Sequence, residues 1–251
     1  GKENAMVNIL LAGTAVGFQN RYPDLEWMCR GYETALPPEL TIRVTQEELE
    51  EERKKQEEAF SDGYLETVCC YRKAANRLLN KDTFVLHGSV VELNGEGYVF
   101  LAPSGGGKTT QTRLWQGYFG KALRVINGDK PLIRMETQAD APIFRAYGTP
   151  WQGKEGMGCN ASVPLKALFF LEKSKSPSVA PAEEGQTVDR LFRQMLMPKE
   201  AEGMRRLLAM ADALVCRVPA YILRCDMSEN SVLCAYQAVK GEKENEHTAG
   251  L

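Results

Sequence analysis

An α/β protein with a mixed sheet is the fold class the sequence predicts, on three observations. Short apolar runs of strand type alternate with segments of helical spacing along most of the 251 residues. In the middle of the chain, two such runs flank Asn94-Gly-Glu-Gly97, which is hairpin chemistry and implies an antiparallel pair. Directly after that hairpin a glycine-rich loop passes into a segment of helical spacing.

The elements follow in order. Val7–Ala12 reads as a buried strand with a glycine turn behind it, and Thr41–Val44 as a second strand. Thr45-x-x-Glu48 is a capping box that starts a charged helix, with Glu50/Lys54 and Glu51/Lys55 at i,i+4 spacing. Residues 63–80 form a further helix, whose apolar face carries Leu65, Val68, Cys69, Ala75, Leu78 and Leu79. Three strand runs come next: Phe84–His87, Val90–Leu93 and Tyr98–Leu101. Thr109–Phe119 has helical spacing and is closed by Gly120. Strands are expected at Leu123–Ile126, Leu132–Met135, Ile143–Ala146, Leu165–Leu171 and Ala220–Cys225, and helices at 183–197, 199–215 and 229–240. This divides the chain into an N-terminal α/β accessory region (1–80), a core (81–240) and a polar, flexible tail (241–251).

Composition excludes several function classes. Lys plus Arg number 31 and Asp plus Glu 33, a net charge of −2, so no excess of positive charge favours nucleic acid or an anionic membrane. Only His87 and His247 are histidines, which argues against a metal site built on imidazoles. Seven cysteines without CxxC spacing read as reduced, mostly buried thiols, with Cys69 and Cys70 packed on their helix. No signal peptide or membrane-spanning run is read, so the expected location is cytoplasmic.

Ala102-Pro-Ser-Gly-Gly-Gly-Lys-Thr109 fits the phosphate-binding loop pattern, with Ala in the first position. Consecutive glycines let several N–H groups turn inward and cradle phosphate oxygens. The following helix aims its N-terminal amides and dipole at the same anion. Ser104, Gly105, Gly106, Gly107, Lys108, Thr109 and Thr110 are therefore the expected nucleotide-binding residues. Lys108 would meet the β- and γ-phosphates and the Thr109 hydroxyl would ligate Mg²⁺. A tight hairpin leads into this loop about 100 residues from the start, unlike most P-loop hydrolases, which place it after the first strand of a parallel sheet.

Leu86-His-Gly88, the hairpin, the loop and Asn127-Gly-Asp129 together resemble the catalytic domain of HPr kinase/phosphorylase, over about residues 83–175. That family shares its nucleotide-binding core with ATP-dependent phosphoenolpyruvate carboxykinase. The likeness implies a mixed-sheet P-loop core of that type with an N-terminal α/β extension. The spacing of 21 residues between His87 and Lys108 matches the HPr kinase pattern, and loosely characterised HPr kinase-related bacterial proteins also tend to carry a Thr-Pro-Trp-x-Gly segment. By that resemblance Asp129 is the general base and a metal-side carboxylate, and His87 an active-site residue. A carboxylate at the end of an apolar strand beside the loop is chemically suited to that work.

Two departures stand out. Gly128 occupies the place of one of two adjacent acids in HPr kinases, and their Glu-x-Arg-Gly stretch has no clear counterpart. In its place Tyr147–Gly158 is a glycine-rich stretch that is either a mobile loop able to close over substrate, with Lys154 contacting phosphate and Glu155 replacing the absent acid, or a polar surface loop; Trp151 in it is expected to stack on a base or substrate, or to pack. Arg190 and Arg193 on one helix are either phosphate contacts or solvated charges.

The expected activity is Mg²⁺-dependent transfer of phosphate from ATP, or another phosphate donor, to a hydroxyl acceptor: a serine of a protein or peptide, or a small molecule. Thr109 and Asp129 would hold the metal, and the resemblance leaves a homo-oligomer open. Alternatives are a nucleotide-binding regulatory or chaperone-like module without turnover, and a plain NTPase.

Overall fold

The computed structural model describes residues 5–248. It is an α/β fold with a mixed sheet.

The N-terminal unit opens with a hairpin of β1 (Ala5–Leu11) and β2 (Thr14–Asn20), turned through Ala12 and Gly13, both at positive φ. A helix α1 (Asp24–Met28) follows, and β3 (Leu40–Arg43) then joins β2 in parallel. Helix α2 (Gln46–Lys55) carries the expected capping box of Thr45 and Glu48. Helix α3 (Asp62–Leu78) buries Leu65, Cys69, Cys70, Ala74, Ala75 and Leu78 against the small sheet.

The larger sheet is built from β4 (Thr83–Val85), β5 (Ser89–Leu93), β6 (Glu96–Leu101), β7 (Leu123–Asn127), β8 (Leu132–Gln138), β9 (Ala141–Tyr147), β10 (Ser162–Lys173), β11 (Ser178–Pro181) and β12 (Ala220–Cys225). Its order is β4-β8-β9-β10-β6-β5-β7, with β12 on β10 and β11 on β12. β10 runs parallel to both β6 and β12, and the remaining pairs are antiparallel. The hairpin of the sequence reading is present: Leu93 faces Glu96 across Asn94 and Gly95, both at positive φ.

Alternation along the strands sends side chains to two cores. Val90, Val99, Leu101, Leu168, Phe170 and Ile222 pack on the side of α5 (Glu184–Arg193) and α6 (Ala201–Arg217). Val91, Tyr98, Phe100, Phe169, Tyr221 and Leu223 pack on the side of α4 (Lys108–Phe119) and α7 (Asn230–Thr248), around the fully buried Trp115. All seven cysteines are free; Cys69 and Cys70 are buried in the helix, and burial pushes the Cys29 thiol up to about 12.

Four local expectations are corrected. β2 and α1 were not foreseen, because β2 is buried on both faces and shows no alternation. Its Gly17 also lies where a Cβ would come within 2.8 Å of the Asn8 side chain, the close approach that glycine inside a strand marks. β11 is a four-residue edge strand ending at Pro181, too short to declare itself. The last helix continues to Thr248 rather than ending before a tail at 241, while 249–251 lie outside the described residues. Among the described residues no helix is long and apolar enough to cross a membrane.

Candidate functional site

Strand β6 ends at Leu101, and the next six residues form the glycine-rich loop before α4 begins at Lys108. Gly105 and Gly107 have φ of +75° and +104°, a conformation that turns the peptide in a way side-chain-bearing residues resist. At Gly106 a Cβ would come within 2.5 Å of the Ala102 Cβ and 2.7 Å of the Pro103 carbonyl oxygen. All three glycines are thus required by the backbone path. The Lys108 ammonium donates to the Ala102 carbonyl at 2.7 Å, and burial holds its pKa below the usual lysine value despite the opposing charge of Asp129. Below the loop, the Ser89 hydroxyl donates to Thr112 at 2.7 Å, and the Thr112 hydroxyl donates to the Lys108 carbonyl. That ties α4 to β5.

Asp129 follows the end of β7. The fully buried Asn127 organises this corner: its Oδ1 accepts from the backbone N–H of Asp129 at 2.9 Å and of Lys130 at 2.8 Å. Its Nδ2 donates to the Thr149 and Trp151 carbonyls, both at 3.2 Å. Asn127 thereby fixes both Asp129 and the start of the glycine-rich 148–158 segment. His87 lies in the β4–β5 connection rather than in a strand, where Gly88 permits close approach to Leu101. The Gly88 amide donates to the Asp129 carbonyl at 3.0 Å, and the His87 amide to the Gln194 carbonyl at 2.7 Å.

These corners bring three predicted residues together. His87 Nε2 is 3.0 Å from Asp129 Oδ1, Lys130 Nζ is 3.3 Å from Oδ2, and Lys108 lies within the electrostatic reach of the same carboxylate. Burial raises the Asp129 pKa, but the His87 hydrogen bond and the Lys130 charge outweigh it and hold the carboxyl below its ordinary range. At neutral pH this group is an anion able to accept a proton or hold a cation.

Residues 104–110, His87 and Asp129 all line one cavity of about 1230 Å³. Its far end reaches Lys173, Ser174, Cys225, Asp226 and Met227, beyond the C-terminal ends of the parallel strands β10 and β12. The opposite wall is the surprise. It comes from the N-terminal unit, through Arg30, Tyr32, Tyr64 and Thr67, although that region showed no recognisable chemistry in the sequence. Tyr32 receives a hydrogen bond from Gln152 at 2.9 Å, and Asn160 donates to the Gly31 carbonyl at 3.0 Å, so the two walls are joined.

In the 148–158 segment Trp151 takes the packing alternative that the sequence left open. Trp151 borders the cavity, but its ring is 6% exposed and stacks on Tyr71 at 4.2 Å and 8°, with Phe18 tilted against it at 6.1 Å. Its Nε1 donates to the Thr67 carbonyl at 3.0 Å. The ring seals α3 to the core instead of offering a stacking face. Glu155 lines the same cavity and pairs with Arg113 of α4 at 2.7 Å, with both side chains well exposed. Lys154 lines the cavity. Arg190 pairs with Glu172, away from the cavity.

Lys130 and Asn127 were missed as contributors. An Asn two residues before the acid is the signal that could have found the turn; Arg30 and Tyr32 carry no such local mark. Among the described residues no group of three or more His, Cys, Asp and Glu could hold a metal on its own.

The fold and site define a mixed-sheet α/β protein with a strand–glycine loop–helix unit that shares one cavity with the ionised Asp129 carboxylate. The chain belongs to the family described as SynChlorMet cassette protein ScmC, whose model matches residues 64–232, about two thirds of its length. No curated protein matches it. Among solved structures it is similar to the Hpr(Ser) kinase/phosphatase from Coxiella burnetii, at 9% identity and a TM-score of 0.37, over 65% of this chain and 97% of that one.

Proposed function

We propose that this chain is a Mg²⁺-dependent, nucleotide-binding phosphotransferase on a P-loop core of the phosphoenolpyruvate carboxykinase/HPr kinase type. One observation carries the reading: Lys108, His87 and Asp129, distant in sequence, converge at the mouth of the glycine-rich loop within one cavity. The loop amides and Lys108 bind the polyphosphate of ATP or a like donor. Thr109 and Asp129 would hold Mg²⁺, which supplies charge neutralisation at the β- and γ-phosphates. Asp129 takes the proton of the acceptor hydroxyl, and His87 orients that carboxylate through its hydrogen bond. Residues 81–240 act as the nucleotide-binding core, and the 1–80 region walls the cavity as an accessory unit. The buried free thiols accord with a reducing cytoplasmic setting.

A nucleotide-binding module without turnover is the second reading. It is favoured by Gly128, which stands where an acid adjacent to Asp129 in sequence would be, and by the engagement of Glu155 with Arg113. Transfer of γ-labelled phosphate, or its release to water, separates the two. The phosphotransferase reading expects Asp129→Asn to lower turnover by at least a hundredfold while MgATP still binds. Turnover unchanged in that variant would remove Asp129 as the base.

A further inference from the structure

A second cavity, of about 210 Å³, adjoins the first. The two share His87, Lys130, Trp151 and Val68, while none of the glycine-rich loop borders the smaller one. Asp129 lines the larger cavity and contacts both His87 and Lys130, two of the residues the cavities share. In phosphoryl transfer the attacking and leaving oxygens lie on opposite sides of the phosphorus. With the donor's polyphosphate on the loop, the acceptor oxygen must reach Asp129 from the side away from the loop. The smaller cavity is there.

Its charge is one-sided. Arg72, Lys130 and Arg193 border it together with the His87 ring, and no carboxylate does. Two of these charges are already matched: Arg72 pairs with the buried Glu52, and Lys130 with Asp129. Arg193 is different. Its partner Asp189 is one turn away on α5, and both side chains are well exposed, so an incoming anion displaces that pair at little cost. Val68, Val85, Met195 and Leu196 supply an apolar remainder suited to methylene groups.

We propose that the smaller cavity is the acceptor subsite and that it selects an alcohol bearing a carboxylate, which Arg193 binds. The inference rests on the phosphotransferase reading above. The acceptor O–H gives its proton to the Asp129 carboxylate as its oxygen forms a bond to the γ-phosphorus. The bond from that phosphorus to the β,γ-bridging oxygen breaks, and its electron pair leaves with the nucleoside diphosphate. Asp129 then returns the proton to water.

The test uses the full chain with γ-labelled MgATP and two matched pairs of acceptors. These are glycerate against glycerol, and the peptide Ala-Ala-Ser-Glu-Ala-Ala against its Gln counterpart. Label should pass at least tenfold faster to the acidic member of one pair, and which pair responds tells a small hydroxy acid from an acidic peptide. Arg193→Gln should raise KM for that acceptor about tenfold and lower kcat less than threefold. Arg193→Glu should turn the preference toward a Ser-Lys peptide, a reversal that damage to the fold would not produce. Arg205→Gln on exposed α6 is the control and should change nothing. Equal rates within both pairs, or a preference that survives Arg193→Gln, would overturn the subsite. If MgATP binds but no acceptor takes label, the subsite fails and nucleotide binding stands; if MgATP does not bind, both readings fall.

Discussion

The two walls of the large cavity are built on opposite principles. One is continuous in sequence: residues 104–110 connect β6 to α4, and the phosphate binding proposed for them rests on backbone amides, glycine geometry and one lysine. The other is assembled from Arg30, Tyr32, Tyr64 and Thr67, held to the core through the Tyr71–Trp151 stack and the Tyr32–Gln152 hydrogen bond. A local wall depends on conformation that a few residues dictate. An assembled wall depends on packing between units, so its stability and its binding role are separable by mutation.

Trp151→Ala should produce the largest effect on this contrast. Removing a buried ring between α3 and the core costs about 3–5 kcal/mol, read as a lowered Tm and denaturant midpoint. Below the melting range, MgATP affinity should stay within a few-fold, because the glycine-rich loop packs elsewhere. A collapse of nucleotide binding in the folded variant would erase the distinction between the walls.

Glu52→Gln probes the N-terminal unit by charge. The Glu52 carboxyl is held below its ordinary pKa by hydrogen bonding to Arg72, against an opposing desolvation, so it adds stability that is present above the unfolded carboxylate pKa and lost as pH falls through the folded one. The substitution should cost about 2 kcal/mol at neutral pH, short of the ~3–5 of a wholly buried pair because Arg72 is 37% exposed. The variant should also show a shallower loss of stability in acid than the parent. Parallel acid denaturation curves would show that this pair does not set the acid limit.

Glu155→Gln is the smallest perturbation. The Arg113 pair is exposed on both sides, so stability should move by less than about 0.5 kcal/mol. Turnover falling by a hundredfold or more in this variant would return Glu155 to the catalytic centre as the replacement acid.

How much of this was legible in the sequence follows from the same contrast. The Asn94-Gly95 hairpin, the loop with its glycines, and Asp129 at a strand end are local, and each is specified by residues within a few positions. The strands β10 and β12 were also readable as apolar runs, because parallel strands covered on both faces need no alternation. β2 lacks alternation too, but Gly17, Gln19 and Asn20 break its apolar run, and Gly17 adds the look of a turn. Trp151 was ambiguous because stacking on a ligand and stacking on Tyr71 demand the same residue. The wall from Arg30 and Tyr32 had no local signature, since their approach to the loop is fixed by how two units pack.

The most direct test of the central claim is a calorimetric titration of the full chain with MgATP, comparing the parent with Lys108→Ala. The account predicts saturable binding to the parent and at least a hundredfold weaker binding, or none, to a variant with unchanged Tm. Equal affinity in the two proteins would contradict it, because the glycine-rich loop would then not be where the nucleotide binds.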